Sequence, residues 1–120
     1  MLNLSRIFFI LLLSTFLCSA CASKAPEFDI RGEWAYTMTA TDGNTYDNGI
    51  ITFSGDPSQG TYRQVNIYQV EYEGDFTAKG SDLVLTGDET WAGTIVDANN
   101  LSGTWSHADG ASGTFTAVRN

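Results

Sequence analysis

From Arg31 onward the chain repeats a unit of glycine, threonine and a large apolar residue. Gly93-Thr94-Ile95, Gly103-Thr104-Trp105 and Gly113-Thr114-Phe115 stand ten residues apart, and Gly60-Thr61-Tyr62 is an earlier copy. Ten residues accommodate one strand and one tight turn, so the repeat predicts a β-meander and not a helical array. Within each unit the glycine and the large residue share one strand face. The threonine faces the other way, where its branched Cβ favours extended backbone. Glycine on a crowded inner face leaves room for a sheet to bend, as a small barrel requires.

The rest of the body follows the same logic. Its 12 glycines are scattered, and turn-forming pairs recur at Asp42-Gly43, Asn48-Gly49, Asp56-Pro57, Lys79-Gly80, Asn99-Asn100 and Asp109-Gly110. Between them lie eight expected strands, at 31–41, 46–55, 60–66, 69–79, 82–87, 90–97, 100–107 and 112–119. Trp34, Tyr36 and Met38 alternate with Ala35, Thr37 and Thr39, and Leu83 and Leu85 flank Val84 in the same way. Val65 and Ile67 break the parity of the third segment, which places a bulge or turn near Asn66. No helix is available to cover the apolar face. The expected fold is therefore all-β, an eight-stranded antiparallel up-and-down meander barrel that buries its face by rolling up. A two-sheet β-sandwich is the alternative.

Residues 1–20 are of another kind. Arg6 precedes the apolar run Ile7–Leu17, and no charge appears from Ile7 through Ser23. At ~1.5 Å per residue that uncharged stretch falls slightly short of a hydrocarbon core, as an export signal does. An uncleaved short transmembrane helix is the alternative. The end of this leader, Cys18-Ser19-Ala20-Cys21, resembles a bacterial lipoprotein signal, although Cys18 stands where that family usually has leucine. The resemblance implies cleavage before Cys21, a diacylglyceryl group on its sulfur, and a lipidated tether over residues 21–30. It also implies a place in the bacterial cell envelope, on the periplasmic face of the outer membrane, because Ala22 and not aspartate follows the cysteine. Several acyl chains together would make residence in the lipid bilayer stable.

The body at 31–120 resembles the calycin group of lipocalins, fatty-acid-binding proteins and avidin-like barrels. Its first strand carries Gly32-Glu33-Trp34, similar to their Gly-x-Trp element, and Arg119 matches the arginine that lipocalins place across that tryptophan. The resemblance implies that Trp34 and Arg119 close one end of the barrel. The plainer alternative makes Trp34 ordinary core and Arg119 a solvated cation.

Charge and chemistry narrow the function. The 14 acidic residues outnumber the 6 basic ones and the formal net charge is -8, which would repel nucleic acid. Cys18 and Cys21, the two cysteines, both lie at the leader's end, so no disulfide scaffold is available to the body. His107 is the lone histidine, and its neighbours Ser106 and Asp109 lack the geometry of a nucleophilic triad. Asp42, Asn44 and Asp47 have oxygen-ligand spacing, but they lack the order and closing glutamate of a calcium loop and read as turn formers. No enzyme, metal or cofactor is expected. Tyr62, Tyr68, Tyr72, Trp91 and Trp105 either line a shallow ligand cup or form the core. Two functions remain open: an envelope lipoprotein binding a small apolar or amphipathic ligand, and a solid-cored protein-interaction or inhibitor module of the envelope.

Overall fold

The computed structural model describes residues 24–120; the leader and Cys21 lie outside the described residues. Eight strands follow in order: β1 (Gly32–Ala40), β2 (Thr45–Gly55), β3 (Gln59–Asn66), β4 (Glu71–Lys79), β5 (Asp82–Thr86), β6 (Glu89–Asp97), β7 (Asn100–His107) and β8 (Ser112–Arg119). Each pairs antiparallel with the next, and β1 also pairs with β8, so the sheet is a closed barrel. The closing seam sets Trp34 opposite Arg119, Tyr36 opposite Ala117 and Met38 opposite Phe115. A two-sheet sandwich is excluded, because no unpaired edge separates two sheets.

Alternation decides what goes inside. Trp34, Tyr36, Met38, Ile51, Phe53, Phe76, Leu83, Leu85, Ile95 and Leu101 are buried and point inward. All three tryptophans are among the largest buried side chains. Outward positions carry threonine, serine and a few small apolar residues: Thr37, Thr52, Thr94, Thr104, Thr114 and Thr116 are exposed. This is the reverse of a membrane-spanning barrel, whose lipid face is apolar and whose lumen is polar. No helix among the described residues is long and apolar enough to cross a membrane.

The repeated glycines sit where neighbouring backbone and rings leave no room for a side chain. A Cβ on Gly103 would overlap the Ala92 carbonyl oxygen and come within 2.9 Å of the Phe115 ring, and one on Gly113 would overlap the backbone of Thr39. Phe115 thus lies in the space that two glycines, Gly93 and Gly103, leave vacant. The inner-face bend expected from the repeat is realised at these positions.

One end of the barrel holds the chain termini and the turns after β2, β4 and β6, and the other holds the turns after β1, β3, β5 and β7. At the first end, residues 24–30 do not hang free. Pro26 bridges Gly80, the Glu27 amide donates to the Gly80 carbonyl at 2.8 Å, and the Gly80 amide donates to the Ala25 carbonyl at 3.0 Å. Ile30 is fully buried, and the Trp34 indole donates to its carbonyl at 2.8 Å. The described part of the stretch expected to be tether, residues 24–30, is packed on the barrel, and the core begins at Ile30. Its aliphatic side chain has a dry place to go only because the barrel floor lies beside it.

Candidate functional site

The two ends of the barrel differ in kind. At the end with the chain termini, the Arg119 guanidinium lies 4.4 Å above the Trp34 ring. Its three nitrogens donate to the carbonyls of Ala98 at 2.9 Å, Arg31 at 2.9 Å and Asp29 at 2.7 Å. One planar cation therefore stacks on the floor tryptophan while tying β8, the β6–β7 turn and the approach to β1 together. Beside it, hydrogen bonds from Arg31 hold the Asp29 carboxyl down at about 2. This end is sealed.

The opposite end is polar, aromatic and only partly covered. The buried Tyr36 hydroxyl donates to Asp47 at 3.1 Å, the Trp91 indole donates to Glu89 at 3.3 Å, and the buried Gln64 amide reaches the Met38 sulfur at 3.9 Å. Tyr46, half in solvent, stacks on Trp105 with centroids 4.3 Å apart, and the Trp105 indole donates to the carbonyls of Thr39 and Thr114. Burial pushes the Tyr36 hydroxyl up, with the Asp47 charge adding to it, and burial raises the Glu89 carboxyl above the ordinary glutamate value. Desolvation likewise carries Tyr62 up to about 12. Charge crowds here too. Asp42, Asp47, Glu71, Glu73, Asp88, Glu89 and Asp109 all lie toward this end, against Arg63, which pairs with Glu71.

The five aromatics expected to line a cup are divided by the structure. Tyr62, Trp91 and Trp105 are buried, Trp91 packing on Phe115 at 4.7 Å and Tyr36 at 5.7 Å. Tyr72 is half-buried. Tyr68 is 78% exposed at the tip of the β3–β4 turn and lines no interior space. The turn explains this: the Asn66 side-chain oxygen accepts the amides of Tyr68 and Val70, each at 3.0 Å, which throws residues 67–70 outward. Gln69 takes φ of 63°, a left-handed conformation that costs a non-glycine residue about 1–3 kcal/mol. Ile67, Tyr68 and Val70 all stand exposed there.

Sequence reasoning missed Asp47, Gln64 and Glu89 as members of this end. It took Asp47 as a turn former. The signal was parity: each lies two residues from an inward position on its strand (Gly49, Tyr62 and Trp91). His107 serves the β7–β8 turn, its Nδ1 accepting the Asp109 amide at 3.1 Å. Asp42 does the same for Asn44 at 2.9 Å in the β1–β2 turn. Among the described residues no three His, Cys, Asp or Glu side chains converge to hold a metal.

Space for a ligand lies outside the wall. A groove of about 600 Å³ runs past Ala35, Ile50, Val65 and Ile67 at the Gly49 bend. Another of about 490 Å³ lies by Arg63, Glu73 and Gly74, and a third of about 550 Å³ by Thr104, Ser112 and Gly113. All three are dents at glycine bends, while buried side chains fill the interior.

No protein-family model matches the chain, and no curated protein matches it either. Solved structures do. A redesigned beta barrel, mFAP0, bound to DFHBI superposes with a TM-score of 0.59 at 20% identity, covering 75% of this chain and 98% of that one. A de novo designed fluorescence-activating beta barrel gives 0.57 at 14% identity, over 77% of this chain and 94% of that one. The redesigned barrel b11L5F_LGL gives 0.55 at 22% identity, over 76% and 91%. At such identities the likeness speaks for the fold alone: a closed eight-stranded antiparallel barrel, compatible with the calycin architecture.

Proposed function

We propose that the chain is a non-catalytic binding module of the bacterial cell envelope, anchored through acylated Cys21, that meets a partner protein with its surface and keeps a solid core. The observation that carries this reading is the filled interior. Trp91 and Trp105 are each 2% exposed and Tyr62 4%, so the rings that could have lined a cup are spent on packing. A domain of this size needs them there, since large buried side chains must offset the ordering cost of about 1–2 kcal/mol per residue. The exposed Ile67, Tyr68 and Val70 supply an apolar contact surface on a turn held by Asn66.

A fluorescent fatty acid titrated into the purified protein tests the solid core. No saturable signal is expected, and saturable binding abolished by Trp91→Arg would overturn it. Labelling cells with radioactive palmitate tests the anchor. Label on the wild type and none on Cys21→Ala is expected, and equal label on both would end the lipoprotein reading.

A second reading has its own support. Tyr36, Asp47, Glu89 and the Tyr46–Trp105 stack make one end of the barrel amphipathic. Similar barrels are described as bound to DFHBI. On this reading a small amphipathic molecule would sit at the mouth, above the tryptophans and not among them.

A further inference from the structure

The outer wall carries an apolar diagonal that the repeat did not foretell. Val118 of β8 sits opposite Ala35 of β1, Ala35 opposite Ile50 of β2, and Ile50 opposite Val65 of β3. All four point away from the core, and on β3 the line continues upward to Ile67 and the turn that displays Tyr68. Val118 is 51% exposed and Ile67 59%. The groove of about 600 Å³ follows the middle of this line, lined by Ala35, Ile50, Val65 and Ile67. Threonine and serine fill much of the rest of the wall, where Val84 faces Ala92 and Val96 stands exposed, so the diagonal is a run in which apolar side chains adjoin across four neighbouring strands.

The surroundings choose the occupant. The strands of the diagonal carry two outward charges, Glu33 on β1 and Arg63 on β3; Glu71 and Glu73 border them on β4, and Asp42 stands in the turn between β1 and β2. Arg63 and Glu71 neutralise each other, so the net negative charge of the border comes from Glu73 and Asp42. A second copy of this chain would bring the same carboxylates against these, like against like, on a body whose formal net charge is already -8. A partner with an apolar strip flanked by lysine or arginine would instead meet complementary charge on the acidic border.

We infer that the Val118–Ala35–Ile50–Val65–Ile67 diagonal is the docking face for a partner protein that inserts an apolar, basic-flanked segment into the groove. This rests on the partner-protein reading above and narrows it to one wall. The groove takes the partner's apolar side chains, the rigid turn fixes its position through Tyr68, and the carboxylate border sets its sign. The opposite wall, around Thr94 of β6, takes no part.

Photocrosslinking in the native host tests it on the full chain. A benzophenone amino acid is placed singly at Ile50, Tyr68, Thr94 and Val84, with folding of each variant checked by protease resistance. One discrete adduct from Ile50 and Tyr68 is expected, joined to the same protein through a segment bearing lysine or arginine. Its yield should fall about tenfold in Val65→Asp, because a carboxylate buried against an apolar surface costs at least that factor. It should also fall several-fold in Glu71→Gln/Glu73→Gln. Adducts with a second copy of the chain, with lipid, or with a partner segment lacking basic residues would overturn the assignment. So would an adduct untouched by Val65→Asp. Protein adducts from Thr94 or Val84 but none from Ile50 or Tyr68 would sink this face and leave the partner-protein reading standing. No protein adduct from any position would sink both.

Discussion

Arg119 shows how much one side chain can hold. It stacks on Trp34 and donates to three backbone carbonyls from separate segments of the chain. Arg119→Lys keeps the charge, but an ammonium cannot reach all three oxygens from one position. A loss of about 1–3 kcal/mol is expected from the stacking and the charged hydrogen bonds together, read from urea denaturation. An unchanged midpoint would show the plug to be ornamental. Glu89 and Asp29 make opposite contributions with pH. The Glu89 carboxyl is raised by burial, so the folded state holds its proton longer than the unfolded chain, and stability falls as pH climbs above the ordinary value of 4.5. Asp29 is lowered to about 2, so what it contributes is present above 3.8 and is lost as pH falls toward 2. Glu89→Gln should therefore flatten the decline above pH 4.5 and leave the acid limb alone, while Asp29→Asn should do the reverse. Urea midpoints between pH 2 and pH 7 decide both, and a wild-type slope retained in Glu89→Gln would exclude Glu89 as its source.

At the scale of elements, the strands were legible because the turn chemistry marked their ends and the parity marked their faces. Leu83 and Leu85 flank an outward Val84 as expected, and the glycine–threonine units bend the wall as their spacing implied. The approach to β1 was not legible. Ile30 sits in a short polar stretch with no period, and its burial depends on a floor built by residues far along the chain. The amphipathic end was obscured for a related reason: a polar residue at an inward position reads as an outward one until its strand's register is known, as Gln64 and Glu89 show. The β3–β4 turn was half legible. Asn66 could be placed near an irregularity, but not as the acceptor that holds it. Asn66→Ala should cost about 1–3 kcal/mol by orphaning two amides, and should speed hydrogen exchange at Tyr68 and Val70 selectively. Gln69→Gly should stabilise by up to about 1 kcal/mol, since glycine takes the left-handed conformation freely. Unchanged exchange at residues 68 and 70 in Asn66→Ala would mean the turn is held by its backbone alone.

For the molecule as a whole, closure sets the geometry and charge sets the strain. The barrel keeps its inner face dry by pairing β1 with β8, and in doing so gathers the turns after β1, β3, β5 and β7 into one small ring. Seven carboxylates lie toward that ring with Arg63 as their nearby cation, whereas Lys24, Arg31, Lys79 and Arg119 lie at the sealed end. Folding thus brings together like charges that the unfolded chain holds apart, a cost that salt can screen. Raising sodium chloride from about 0.01 M to about 0.1 M shortens the screening length from about 30 Å to about 10 Å. Over that range the protein should gain about 0.5–1 kcal/mol, as several repulsive pairs worth a few tenths each are damped. The exposed pairs Arg31–Asp29 and Arg63–Glu71 weaken at the same time, but two attractive contacts are outnumbered by the crowding opposite them. Glu73→Gln/Asp88→Asn should then be more stable than the wild type at low salt and gain less from added salt. Denaturation of both proteins at the two salt concentrations settles the matter: stability that falls with salt would mean the ion pairs outweigh the crowded rim.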